Sequence, residues 1–206
     1  MQMDNQIRGA GGQGPLLAHT FNEVRYYLMV TPCAQCLQGP WETDSVETPP
    51  RPDQPAALRA HCKHCSARRT FDLVCEFPVA QDGAGAECIN PTEAPSHIID
   101  LGQWLSLFYL LVESAATGSS KVDTRRAGYR AALCLAEALK FYTDEMPPES
   151  AFFWPRTAEA FHEHPENFAR QRLRDMQAKL PDISSMGRRV DLDERSRVRR
   201  WWRFWQ

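Results

Sequence analysis

No apolar run in this 206-residue chain is long enough to cross a bilayer. The longest, residues 104–112, is interrupted by Ser106 and falls well short of the roughly 20 residues a spanning helix needs. Residues 1–15 are rich in Gly and Gln and hold no apolar stretch, so they do not read as a signal peptide. Charge of one sign is also lacking: the formal net charge is −2, and nothing draws the whole chain toward nucleic acid or a membrane. The glycines at 9, 11, 12 and 14 are followed by no Lys-Ser/Thr pair and preceded by no strand, which excludes a phosphate-binding loop. There is no G-x-S-x-G elbow, and no set of acids, histidines and nucleophiles forms a catalytic pattern. The chain is therefore expected not to be an enzyme. Cysteine is too sparse, at seven residues, and odd in number for a secreted disulfide scaffold. These absences together predict a soluble, reduced, cytoplasmic protein.

Among the seven cysteines, four are paired by spacing: Cys33-x-x-Cys36 and Cys62-x-x-Cys65. Two residues between cysteines let one tight turn offer both sulfurs to the same ion, and two such turns complete a tetrahedral shell. The expected cofactor is one structural Zn2+ held by Cys33, Cys36, Cys62 and Cys65. A thioredoxin-like redox pair fits poorly, because neither pair precedes a helix in a β-α-β setting. His61 and His64 lie beside Cys62, but four thiolates already close the shell. Those histidines read as exposed side chains or as donors to the sulfurs. Of the remaining cysteines, Cys75 is expected to face the small sheet core and Cys134 the helical core; Cys88 receives no role.

Residues 21–77 resemble a zinc ribbon, with the four cysteines on that family's ligand positions. The resemblance implies a three-stranded antiparallel sheet with zinc at one end, serving nucleic-acid contact, subunit docking or stabilisation of a neighbouring domain. One departure is visible: ribbon knuckles often carry Gly after the second cysteine, and Leu37 and Ser66 stand there instead. Residues 97–186 resemble no family whose activity could be carried over.

The predicted fold class is α+β, a small zinc ribbon followed by a mainly helical domain. Its expected divisions are a disordered segment 1–18, the ribbon 19–78, a linker 79–96, the helical domain 97–186 and a basic aromatic tail 187–206. Within the ribbon, residues 21–30 read as a strand, carrying Val24, Tyr26, Tyr27, Leu28 and Val30. The proline-rich stretch that follows reads as a long polar loop. Phe71, Leu73, Cys75 and Phe77 alternate with polar or smaller residues, the period of a half-buried strand. Beyond residue 97 the period lengthens to that of a helix. Ile98, Leu101, Trp104, Leu105, Phe108, Leu111 and Val112 make one stripe over 98–113, with Leu107 and Leu110 on its flank. A second helix over 122–142 would complete an antiparallel hairpin. Prolines then divide the chain into a helix over 156–163 and another from Pro165 to about residue 180. His162, His164 and the acids around them read as a solvated surface, not a metal cluster.

Two basic features remain. Arg51, Arg59, Lys63, Arg68 and Arg69 surround the second cysteine pair and could touch phosphates, or form a charged ribbon edge that discourages aggregation. Residues 187–206 hold seven arginines with Trp201, Trp202, Phe204 and Trp205. There Arg199, Arg200, Trp201, Trp202, Arg203 and Trp205 suit a partner's groove, the chain's own core, single-stranded bases or a membrane surface. The expectation from sequence is a non-enzymatic interaction module or adaptor with a protein partner. The alternative is a nucleic-acid-binding regulator using the basic ribbon face and the tail; a membrane surface is an expected contact only through that tail.

Overall fold

The computed structural model describes residues 14–47, 55–76, 88–117 and 120–180. Among them are five α-helices and one four-stranded mixed sheet, an α+β arrangement. The chain opens with β1 (Leu16–Ala18) and passes through the buried His19 into α1 (Phe21–Val30). Strands β2 (Trp41–Glu47), β3 (Ala56–Cys62) and β4 (Arg68–Cys75) follow. Helices α2 (Leu101–Thr117), α3 (Lys121–Leu139), α4 (Pro155–Glu163) and α5 (Arg170–Ala178) complete the described chain. No helix among the described residues is long and apolar enough to cross a membrane.

The sheet order is β1-β4-β3-β2. β2 and β3 pair antiparallel, as do β3 and β4, whereas β1 adds to the far edge of β4 in parallel, with Leu16 opposite Leu73. The three-stranded antiparallel ribbon expected from the resemblance is therefore corrected to a four-stranded mixed sheet. Residues 16–18, expected to lack fixed structure, supply a fourth strand; residues 1–13 of that segment lie outside the described residues. β2 occupies part of what reads as a loop: every residue after Trp41 is exposed, and the strand is held by its backbone pairing with β3.

The largest correction concerns residues 21–30, which form a helix and not a strand. Thr20 caps it, its hydroxyl accepting from the Glu23 amide at 3.3 Å, and the Glu23 carboxylate reaches back to the His19 amide at 2.6 Å. This Thr-x-x-Glu arrangement satisfies amides that a helix start leaves unpaired. Val24, Tyr27 and Leu28, spaced by three and four, are the buried apolar residues of α1. Tertiary burial along one helical face overrides the strand preference of Val and Tyr here. Tyr27 meets the Phe71 ring edge-on at 6.2 Å from β4, and Tyr26 meets Trp104 of α2 at 5.8 Å. One short helix thereby joins the sheet to the helical hairpin, and the buried apolar residues of both form one continuous core.

α2 and α3 form the expected antiparallel hairpin. Trp104, Leu107, Ala131, Cys134, Leu135 and Ala138 are each at most 1% exposed at their contact. Ser120 caps α3, accepting from the Asp123 amide at 3.1 Å. α2 begins at a buried reciprocal box: the Gln103 amide donates to Asp100 Oδ1 at 2.8 Å and the Asp100 amide to Gln103 Oε1 at 3.0 Å. The other oxygen of Asp100 accepts from the Trp154 amide at 3.0 Å and from the Thr157 hydroxyl, pinning α4 to the start of α2. Gly102 permits that approach, since a Cβ there would stand 2.6 Å from the Thr157 side chain. The helix expected from Pro165 to about residue 180 is divided. A 3-10 turn, Pro165–Phe168, precedes an extended Ala169 and then α5. Glu145 takes over there, its carbonyl accepting from the Arg170 amide and its carboxylate from the Gln171 amide, at 2.8 and 2.9 Å.

Candidate metal centre

Two turns of the same construction bring the paired cysteines together. In the first, the Leu37 amide donates to the Cys33 carbonyl at 2.8 Å and the Cys33 amide to the Gln38 carbonyl at 2.6 Å. In the second, the Ser66 amide donates to the Cys62 carbonyl and the Cys62 amide to the Ala67 carbonyl, both at 2.8 Å. Position by position the hydrogen bonds are the same. The turns also share a backbone feature: Leu37 (φ 59°) and Ser66 (φ 61°) are the only non-glycine residues with positive φ among those described. Both directly follow a second cysteine. The conformation that glycine usually supplies at this place in a knuckle is present, imposed on residues that pay a steric penalty to adopt it.

The supports differ. The second knuckle joins β3 to β4, as the strand pattern suggests. The first departs from the carboxyl end of α1, where Thr31 closes the helix on the Tyr27 carbonyl through both its amide and its hydroxyl, at 2.9 and 2.7 Å. The Lys63 amide donates to the Pro40 carbonyl at 3.0 Å, stitching one knuckle to the other.

Cys33, Cys36, Cys62 and Cys65 offer four sulfurs that all lie within 4.8 Å of one another. Cys33 and Cys65 are 3.7 Å apart, as are Cys36 and Cys62. A tetrahedral ion with metal–sulfur bonds of about 2.3 Å requires sulfurs about 3.8 Å apart. A disulfide would need about 2.05 Å. The four residues can therefore hold a metal ion as they stand, and among the described residues no other group of histidines, cysteines and acids does so. Crowding unbalances the thiols. Hydrogen bonding from the Cys65 backbone, aided by that of His64, draws Cys62 down to about 7. Cys36 is pushed up to about 12: the Gln38 backbone lowers it, but burial and the three neighbouring sulfurs outweigh that. A cation bound by these thiolates would displace their protons.

His61 turns away from the sulfurs, its ring 2.6 Å from Asp44 and 3.9 Å from Glu42, both on β2; His64 is exposed. Cys75 is half-buried against the core, and burial raises its thiol to about 11. Cys134 is fully buried between helices, its thiol pushed up by the same cause, and Cys88 is exposed. His164 is exposed, its ring 3.3 Å from the Glu166 carboxylate.

The basic residues of the sheet are dispersed and mostly engaged. Arg59 pairs with Glu47 at 2.7 Å, Lys63 lies 3.5 Å from Glu42, and the Arg69 guanidinium sits 4.7 Å over the Phe71 ring. Arg68 is exposed. Arg51, Arg199, Arg200, Trp201, Trp202, Arg203 and Trp205 lie outside the described residues.

Comparison with protein-family models, curated proteins and solved structures returned no match. The likeness to a zinc ribbon accordingly rests on the two knuckles alone.

Sequence reasoning passed over a buried polar cluster behind α1. Glu137 lies 6% exposed and its carboxyl is raised to about 7, chiefly by burial, against the Lys140 ammonium 2.9 Å away. Lys140 also donates to the Asn90 carbonyl at 3.0 Å, and the wholly buried Glu23 adds to the upward push on Glu137. The signal that could have found it was Thr20-x-x-Glu23, which marks Glu23 as a helix-start residue held inside.

Proposed function

We propose that the four cysteines hold one structural Zn2+ and that the protein is a non-enzymatic interaction module with a protein partner. The observation that carries the metal half is the pair of matched knuckles with sulfurs at tetrahedral spacing. A closed shell of four thiolates suits zinc, and it leaves no position for a reactive water. Zinc there would stiffen the end of the sheet where β2 and β4 start and β3 ends, a role of support and not of chemistry.

The partner half is supported by α2. Tyr109, Leu110 and Val112 are 48%, 53% and 37% exposed on a helix whose other side is core. Neighbouring exposed apolar side chains on one helix suit a docking face. The pairing of Arg59 and Lys63 with the acids of β2 weakens the case for a phosphate-binding sheet face.

Metal analysis after desalting tests the site: Cys36→Ser and Cys62→Ser lose the metal, whereas His61→Ala retains one Zn2+ per chain. Full retention in a cysteine variant would sink the four-thiolate reading. Fluorescence anisotropy with single- and double-stranded oligonucleotides across a salt series tests the partner class. Micromolar binding that weakens steeply with salt would replace the protein-partner reading with a nucleic-acid regulator.

A further inference from the structure

A cavity of about 580 Å3 opens where α1, the start of β2 and the α2–α3 hairpin meet. Its size falls in the range of small-molecule sites. Leu28, Trp41, Leu111 and Leu133 give it an apolar wall. Arg25 of α1, Lys63 of the second knuckle and Arg130 of α3 also line it, against a single carboxylate, Glu42. Glu42 is already shared between Lys63 and His61. The Arg25 side chain donates to the neutral Asn22 side chain at 3.3 Å and its guanidinium lies 5.5 Å from the Phe21 ring. Among the described residues no carboxylate reaches Arg25 or Arg130 within 4.0 Å. Three elements far apart in sequence thus converge three cations on an apolar hollow.

We propose that this cavity binds a small amphiphilic anion, a carboxylate, sulfonate or phosphate head on an apolar or aromatic body. The head lies between Arg25 and Arg130 and the body lies against Trp41, Leu111 and Leu133. Guanidinium groups form paired, charge-assisted hydrogen bonds with such heads. Removing the apolar body from water supplies affinity that the exposed charges alone, screened by salt, would not. The arginine-rich segment 187–206 is a poor match for the same hollow, because its own charge repels the three cations.

The test uses the full-length, metal-loaded chain and two fluorescent probes of similar body. One is 8-anilinonaphthalene-1-sulfonate; the other, N-phenyl-1-naphthylamine, lacks the sulfonate. The expected result is saturable one-site binding of the sulfonate, at least tenfold tighter than the amine and weakened by salt. Arg130→Glu, an exposed helix position, should weaken the sulfonate at least tenfold and leave the amine within twofold. Leu133→Trp, which fills the hollow, should reduce both. Metal content and thermal melting of each variant separate loss of the cavity from loss of the metal or the fold. Absence of sulfonate binding, equal affinity for both probes, or an Arg130→Glu variant that binds the sulfonate unchanged would overturn the proposal. So would displacement of the bound sulfonate by a synthetic peptide of residues 187–206, read by calorimetry, since it would assign the hollow to the chain's own segment.

Discussion

The sheet and the α2–α3 hairpin share one core but reach it with very different means. β2 buries a single residue, Trp41, and leaves the rest of its length exposed; β3 and β4 contribute Leu58, Ala60, Cys62, Phe71 and Leu73 on one face. Helix α2 alone buries Leu101, Trp104, Leu105, Leu107, Phe108 and Leu111. Each fully buried large side chain is worth about 1.5–3 kcal/mol relative to exposure. The hairpin can therefore stand on apolar burial, while the sheet has one thin layer, borrowed in part from α1. A site for four thiolates sits on the poorer side, where metal binding adds most to folding.

The strongest way to break this contrast is Cys62→Ser. Metal loss should cost the sheet several kcal/mol, so amides of β3 and β4 should exchange with solvent far faster while those of α2 and α3 remain protected. Equal loss of protection in both would make the molecule one cooperative unit and erase the distinction. Asp100→Ala strikes the other side. It removes the α2 cap and strands the Trp154 and Thr157 donors, at a cost of about 3 kcal/mol. Thermal melting should fall, yet metal analysis should still find one ion per chain.

These two residues also show how much was legible in advance. Cys62 announces itself, because the Cys-x-x-Cys spacing of each knuckle is a local property, although only the pairing of β2 with β3 brings the two knuckles together. Leu37 and Ser66 look from sequence like departures from a knuckle, and only the backbone reveals that they adopt the glycine-like conformation. Asp100 three residues before Gln103 is readable as a helix start, but its grip on Trp154 and Thr157 spans more than fifty residues. No periodicity encodes such a contact.

Glu137 gives a subtler comparison, this time in pH. Its folded-state carboxyl is raised to about 7, above the ordinary 4.5, mainly by burial. Between those values the native state holds more protons than the unfolded one. Stability therefore falls as pH rises through that window and is level on either side. With 1.36 kcal/mol per pH unit the contribution is at most about 3 kcal/mol. Glu137→Gln should flatten this part of the profile in denaturant melts from pH 4 to pH 8, whereas an unchanged slope would assign the pH dependence elsewhere. The smallest expected effect returns to the knuckles. Leu37→Gly and Ser66→Gly should each stabilise the metal-loaded protein by about 0.5–1 kcal/mol, since glycine takes positive φ without penalty. Leu37 is 78% exposed, so little packing is lost with it. Destabilisation by either glycine would argue that the turns are held by their side chains.

By itself the sequence determined the two cysteine pairs that could hold a metal ion, the helical periods of α2 and α3 and the strand character of β4, because each rests on spacing within a local segment. Tertiary structure decided the rest. Residues 21–30 became a helix and not a strand because Phe71 and Trp104 meet its two tyrosines and bury one helical face. Residues 16–18 became a strand because the edge of β4 had unpaired amides and carbonyls to offer. The cations of Arg25, Lys63 and Arg130 converged on one hollow only when three separate elements packed. In each case the deciding partner lies far away along the chain, and proximity of that kind is created by folding the whole core, not by any local run of residues.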